Sequence, residues 1–133
     1  MTSLAITVRG AAPAALVWRR YTEPDLWPTW SPQIASVSCA DRVIRTGSTG
    51  TVHAVLGVQV RFEVTRFDDL QRTWAWDAML PLGIRLHLEH SVMELDASGP
   101  DRSSTGLRVS GPLPIVLGYL PVARLALGRL LRP

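Results

Sequence analysis

Residues 73–95 read TWAWDAMLPLGIRLHLEHSVMEL, and the alternation within them decides the fold. From 84 onward the even positions Ile84, Leu86, Leu88, His90 and Val92 are apolar apart from the histidine, whereas Arg85, His87, Glu89 and Ser91 on the odd positions are polar. A period of two predicts a strand with one face on a core and the other toward water. Upstream, 73–80 carries Trp74, Trp76 and Ala78 on a single face. Pro81-Leu82-Gly83 lies between the two runs and supplies turn chemistry, so 73–80 and 84–95 read as neighbouring antiparallel strands.

The same reading extends in both directions. VQVRFEVTRF (58–67) places Val58, Val60, Phe62 and Val64 on one face and Arg61, Glu63 and Thr65 on the other, and it follows GTVHAVLG (50–57) through a tight hairpin at Leu56-Gly57. IASVSCA (34–40) precedes a turn at Thr46-Gly47, STGLRVSG (104–111) follows a polar loop at 98–103, and LAITV (4–8) opens the chain with a strand. Between the first two strands, GAAPAALVWRRYT (10–22) has Pro13 suited to a first helical turn and Trp18 and Tyr21 three apart. That helix ends before Glu23-Pro24, because proline disfavours helix at the residue preceding it. The proline-broken stretch 24–32, containing Trp27 and Trp30, reads as a capped turn or a single-turn helix.

The last segment, PIVLGYLPVARLALGRLL (114–131), is apolar at helical spacing, with Val116, Leu120, Ala123 and Leu127 along one stripe. Its length suits a membrane span, but two arginines, two prolines and two glycines within it favour a core-packed helix kinked near Pro121. The expected architecture is α+β. A curled antiparallel sheet of about seven strands wraps around a long C-terminal helix, and two short helices follow the first strand. The 133 residues make a single domain.

The order of elements, with VWRRYTEPDLWPTWSPQI (17–34) after the first strand and the 73–95 hairpin late in the chain, resembles the SRPBCC or START-like superfamily, and most of all its bacterial polyketide cyclase/dehydrase group. The resemblance runs from Leu4 to about Leu130 and rests on a Val-Trp in the first helix, the Trp27-x-x-Trp30 pair among prolines, and the inward histidine of the penultimate strand. It implies a helix-grip fold with a deep cavity between sheet and C-terminal helix, used for small hydrophobic ligands.

Candidate site residues follow from strand parity and that implied cavity. His90 is placed inside among leucines, either as a core histidine with a hydrogen-bond partner or as a general acid or base, since imidazole titrates near neutrality. His87 and His53 fall on solvated faces, and Asp77 and Glu63 on outward positions. Trp27, Trp30, Phe62, Trp74, Trp76, Leu86, Leu88 and Leu120 are candidate ligand-binding walls, with ordinary core packing as the alternative for the tryptophans. Tyr119, near the helix start, is a candidate second catalytic group that would bond a developing enolate, with a position on the rim as the alternative. His87 and His90 point to opposite faces, and His87 with Glu89 offers only two ligands, so no metal is expected. No phosphate-binding loop or other cofactor motif is present, and none is expected.

Composition narrows the classes further. All fourteen basic residues are arginine, which reflects codon usage in a GC-rich genome. The net charge is +3 and the arginines are scattered from Arg9 to Arg132, so no nucleic-acid surface is expected. Cys39 is alone, and the N-terminus lacks a signal-peptide pattern, so a cytoplasmic protein is expected, monomeric or homodimeric. The functional expectation is a hydrophobic-cavity protein acting on a small polyketide-like or aromatic molecule as a cyclase or dehydratase. The alternative is a non-catalytic binder or carrier of a small apolar ligand.

Overall fold

The computed structural model describes residues 2–96 and 98–133. Seven strands form one antiparallel sheet: β1 (Thr2–Gly10), β2 (Ile34–Cys39), β3 (Thr49–Ala54), β4 (Gln59–Asp68), β5 (Thr73–Met79), β6 (Arg85–Glu94) and β7 (Ser103–Gly111). Their spatial order is β1-β7-β6-β5-β4-β3-β2. The meander from β2 to β7 is therefore sequential, and β1 pairs with the last strand, Leu4 opposite Val109. Bulges between Ile34 and Ser36 and between Val64 and Arg66 bend the sheet.

Three helices cover the concave side: α1 (Ala14–Thr22), α2 (Trp27–Trp30) and α3 (Leu113–Leu130). A turn of 3-10 helix, Pro24–Leu26, joins the first two. The element order matches the expectation from sequence throughout, and strand limits agree to within two residues except at the end of β3, which stops three residues before Gly57. Pro121 does not interrupt α3. The helix is long and apolar enough to cross a membrane, yet it lies along β1 and β7, burying Val116, Ala123, Ala126, Leu127 and Leu130. Leu120, expected on that stripe, is only half-buried; the helix turns Tyr119 and Ala126 inward instead.

Two turns share one geometry, the second at the expected Pro81-Leu82-Gly83 and the first one residue longer than the expected tight hairpin at Leu56-Gly57. The β3–β4 connection is the three-residue loop Val55–Gly57, closed by Ala54 N–H donating to the Val58 carbonyl at 2.7 Å. The β5–β6 connection is Pro81–Gly83, closed in the same way from Leu80 to Ile84 at 2.8 Å. In each loop the central leucine, Leu56 (φ 64°) or Leu82 (φ 67°), takes the left-handed backbone that normally selects glycine. Val58, assigned by alternation to the buried face of β4, sits at the loop exit and is exposed.

Gly50 in β3 pairs with Cys39 on one side and Phe62 on the other and has no room for a side chain. A Cβ there would meet the Ser38 carbonyl oxygen and, at 2.7 Å, the Phe62 ring. Gly50→Ala is expected to destabilise the fold by about 1–3 kcal/mol, since backbone on one side and a fully buried ring on the other cannot both retreat. Urea denaturation of the two proteins measures this, and equal midpoints would contradict the close approach.

Candidate functional site

The concave face and α3 enclose a cavity of about 140 Å³. Its wall is formed by Trp27, Trp30, Trp74, Trp76, Leu86, Leu88, His90 and Tyr119 from the expected set, with Ala123, Ala126 and Leu127 of α3 closing it. No carboxylate or arginine contributes. Phe62 and Leu120, expected on this wall, do not line the cavity. Phe62 is fully buried behind it, 5.3 Å from the Trp27 ring and 6.0 Å from Trp76, so it supports the aromatic wall.

The wall is an aromatic stack. Trp74 lies parallel to Trp76 (5.8 Å between centroids, 12° between planes) and to His90 (4.6 Å, 13°), while Trp27 stacks on Trp74 from the helical side at 5.8 Å. Cross-strand pairing sets this up, because Trp74 lies directly opposite His90 and Trp76 opposite Leu88. Trp27 and Trp30 project from one helical turn. Their indole N–H groups donate to the carbonyls of Tyr21 (2.8 Å) and Arg20 (3.1 Å). Those carbonyls lie in the last turn of α1, where the helix supplies no N–H donors of its own. The two tryptophans therefore cap α1 with their nitrogens and build the cavity with their rings.

His90 is buried and hydrogen-bonded at both nitrogens. Trp76 Nε1–H donates to His90 Nε2 at 2.9 Å, which assigns the ring proton to Nδ1. Nδ1–H then donates to the Tyr21 hydroxyl oxygen at 3.2 Å; that hydroxyl donates to Thr105 Oγ1 at 2.6 Å, and Thr105 to the Ser91 carbonyl at 2.8 Å. Every donor in the chain has one acceptor. Burial drives the imidazole pKa down to about 3. Protonation would also set an Nε2–H against the Trp76 N–H. Burial likewise pushes the Tyr119 hydroxyl up to about 12, so it stays protonated. Tyr21, which completes the relay, was visible in the sequence only through its spacing to Trp18.

Two polar atoms on wall residues are buried without a partner among the described residues: Trp74 Nε1 and Gln33 Oε1. The other four indole N–H groups are all bonded, Trp18 to Asp69 at 2.7 Å and Trp27, Trp30 and Trp76 as described. An unmade bond of this kind costs about 1–3 kcal/mol. Nothing in the periodicity marks Gln33, which sits between Pro32 and β2.

On the opposite face His87 meets Asp77 at 2.7 Å and Glu89 at 3.6 Å, outside the cavity as parity requires. His53 also stays off the wall and bonds Ser38 at 2.8 Å. Among the described residues no three His, Cys, Asp or Glu side chains gather as metal ligands.

An apolar chamber held between a curled antiparallel sheet and a C-terminal helix defines a helix-grip cavity protein. The chain belongs to the family described as "Polyketide cyclase / dehydrase and lipid transport", whose signature matches residues 1–131. Solved structures share the fold at low identity. The protein XoxI from Bacillus cereus is 13% identical with a TM-score of 0.80, over 98% of this chain and 94% of that one. A protein from Nitrosospira multiformis is 15% identical with a TM-score of 0.77, over 98% and 94%. Ara h 8.0201 is 14% identical with a TM-score of 0.70, over 98% and 97%. No curated protein matches the sequence.

The neutral state of His90 has a consequence for pH. The unfolded histidine titrates near 6.5 and the folded one near 3, so between these values the unfolded chain holds the extra proton and stability falls as pH falls. The slope approaches about 1.4 kcal/mol per pH unit, or about 2 kcal/mol lost by about pH 5. Urea denaturation at about pH 7.5 and about pH 5 is expected to show this loss in the wild type and a smaller one in His90→Gln. Equal losses in both would mean that His90 is not held neutral.

Proposed function

We propose that the protein binds one small apolar molecule, a single ring or a short acyl segment bearing an acceptor oxygen, and holds it without covalent change. The observation that carries this reading is that Trp74, which lines a cavity containing no charge, has a buried indole N–H without a partner among the described residues. A ligand oxygen accepting from Trp74 would relieve the cost of that unmade bond, and the stacked indoles suit a flat apolar partner. The volume, about 140 Å³, is on the scale of the ~150 Å³ apolar cavity that admits benzene. It is well below the ~300 Å³ at which pockets for drug-sized ligands begin, so a polycyclic substrate is a poor fit.

The cyclase or dehydratase reading rests on His90 and Tyr119 both lining the cavity. In it His90 would act as general base or acid and Tyr119 would bond an enolate. Two features weigh against His90. A general base works best with a pKa near the operating pH, and burial moves this one far below it. Its only free lone pair is also already occupied by Trp76.

Titration with 4-methylphenol and with anthraquinone, followed by tryptophan fluorescence and native mass spectrometry, tests the binding reading. The single ring is expected to bind one to one and the tricyclic compound not to bind. Trp74→Phe should weaken binding by about tenfold through the lost hydrogen bond. Ala126→Leu, which fills the cavity, should abolish it. Undiminished binding in Ala126→Leu would place the ligand elsewhere. Turnover of a polyketide-like substrate that is lost in His90→Gln and Tyr119→Phe would replace the carrier by the enzyme.

A further inference from the structure

Consecutive antiparallel strands put alternate connections at the same end of a sheet, so the 55–57 and 81–83 loops lie together. The start of α3 joins them, because Gly111 at the end of β7 approaches Leu86 and the Arg85 carbonyl. The start of β2 does too, Ile34 pairing with Ala54. Several wall residues of the cavity are only half-buried, among them Gln33, Ile34, Ala54, Leu80 and Tyr119, and they cluster at this end. This end is the mouth.

Exposed apolar side chains surround it. Of the eleven large hydrophobic residues exposed among the described residues, six stand here: Val55, Leu56, Val58, Leu82, Leu113 and Leu117. Leu56 and Leu82 are 98% and 96% exposed. They also sit at positive φ, where a leucine costs about 1–2 kcal/mol relative to right-handed backbone. Neither side chain recovers that cost within the chain, and the same arrangement occurs in both loops.

The charges beside the mouth have one sign. Arg61 and Arg85 flank Met79 in the outward row nearest the loops. The nearest carboxylates on the sheet, Glu63 and Asp77, belong to the next row, and Asp77 is occupied by His87. The outer face of α3 continues apolar through Pro121 and Val122 before Arg124.

We infer that this end docks on the surface of a bilayer containing anionic lipid, with Leu56 and Leu82 entering the acyl boundary and Arg61 and Arg85 facing the headgroups. Three separate protrusions around a mouth suit a deformable lipid surface better than a flat protein face, and apolar tips with basic flanks match interfacial attachment. None of these docking side chains lines the cavity, so the inference is tested separately from what the cavity binds.

Co-sedimentation with vesicles of phosphatidylcholine and phosphatidylglycerol in equal parts, and of phosphatidylcholine alone, tests the inference. The protein is expected to bind the mixed vesicles more tightly, and less so as salt is raised. The double variant Leu56→Asn with Leu82→Asn should bind at least about tenfold more weakly. It should melt no earlier than the wild type, since asparagine tolerates left-handed backbone. If the asparagine variant does not fold, Leu56→Gly with Leu82→Gly serves the same purpose. Arg61→Gln with Arg85→Gln should remove the preference for anionic vesicles. Ala126→Leu should bind vesicles as the wild type does, which separates this surface from the cavity. Absence of vesicle binding, or full binding by the leucine variants, overturns the inference. So does a dimer in sedimentation velocity that the leucine variants dissociate, since the occupant would then be a second copy.

Discussion

A histidine can sit in an apolar interior only if it is neutral and both nitrogens are bonded, and much of this structure follows from meeting that condition at His90. The Nε2 acceptor requires an indole N–H two strand residues away on β5, and Trp76 supplies it. The Nδ1 donor requires an oxygen from the helical layer, which is the Tyr21 hydroxyl. That hydroxyl needs an acceptor in turn, found in Thr105 of β7. One buried ring thus connects β5, β6, β7 and α1, and the relay has a single consistent direction. An apolar residue at this position would leave the Trp76 donor and the Tyr21 oxygen short of a partner in a low-dielectric interior, where such groups are costly.

The tryptophans divide their two chemical features in a related way. Trp27 and Trp30 use their nitrogens to finish α1 and their rings to enclose the cavity, which explains why two large aromatics occupy a segment too broken by proline for a longer helix. Trp76 serves His90 and Trp18 serves Asp69. Trp74, held between Trp27, Trp76 and His90, is the member whose nitrogen the fold does not use. The unpaired donor thus belongs to a wall residue whose ring position was already set by stacking.

What the sequence reveals follows the precision of each periodicity. A strand alternates by half-turns, so parity placed His90, Leu86 and Leu88 inside and His87 outside without ambiguity. A helix advances by about 100° per residue, and neighbouring positions compete for the same face. Leu120 was the better apolar candidate, yet Tyr119 one residue earlier reaches the wall. Phe62 has the inward parity of its strand, but bulkier Trp27 and Trp76 stand between it and the cavity. Parity assigns a face and leaves depth behind that face undetermined. Gln33 precedes the first residue of its strand and belongs to no repeat, so only the fold reveals it.

The loops at the mouth show the limit of local rules from the other side. Turn chemistry predicts turns at Leu56-Gly57 and at Pro81-Leu82-Gly83, and the chain does turn at both, but glycine would satisfy the left-handed positions of Leu56 and Leu82 more cheaply. Placing leucine immediately before each glycine adds strain and exposed apolar area at two points that the meander brings to one end of the sheet. Local consistency between sequence and backbone is the general rule, and departures from it tend to concentrate where a surface meets something outside the chain. Here two such departures share one sequence pattern and one end of the molecule, and they border the only buried space that α3 closes against the tryptophan stack among the described residues. A polar rim would complete the same fold at lower cost, and this excess is the reason we infer an external contact at that end.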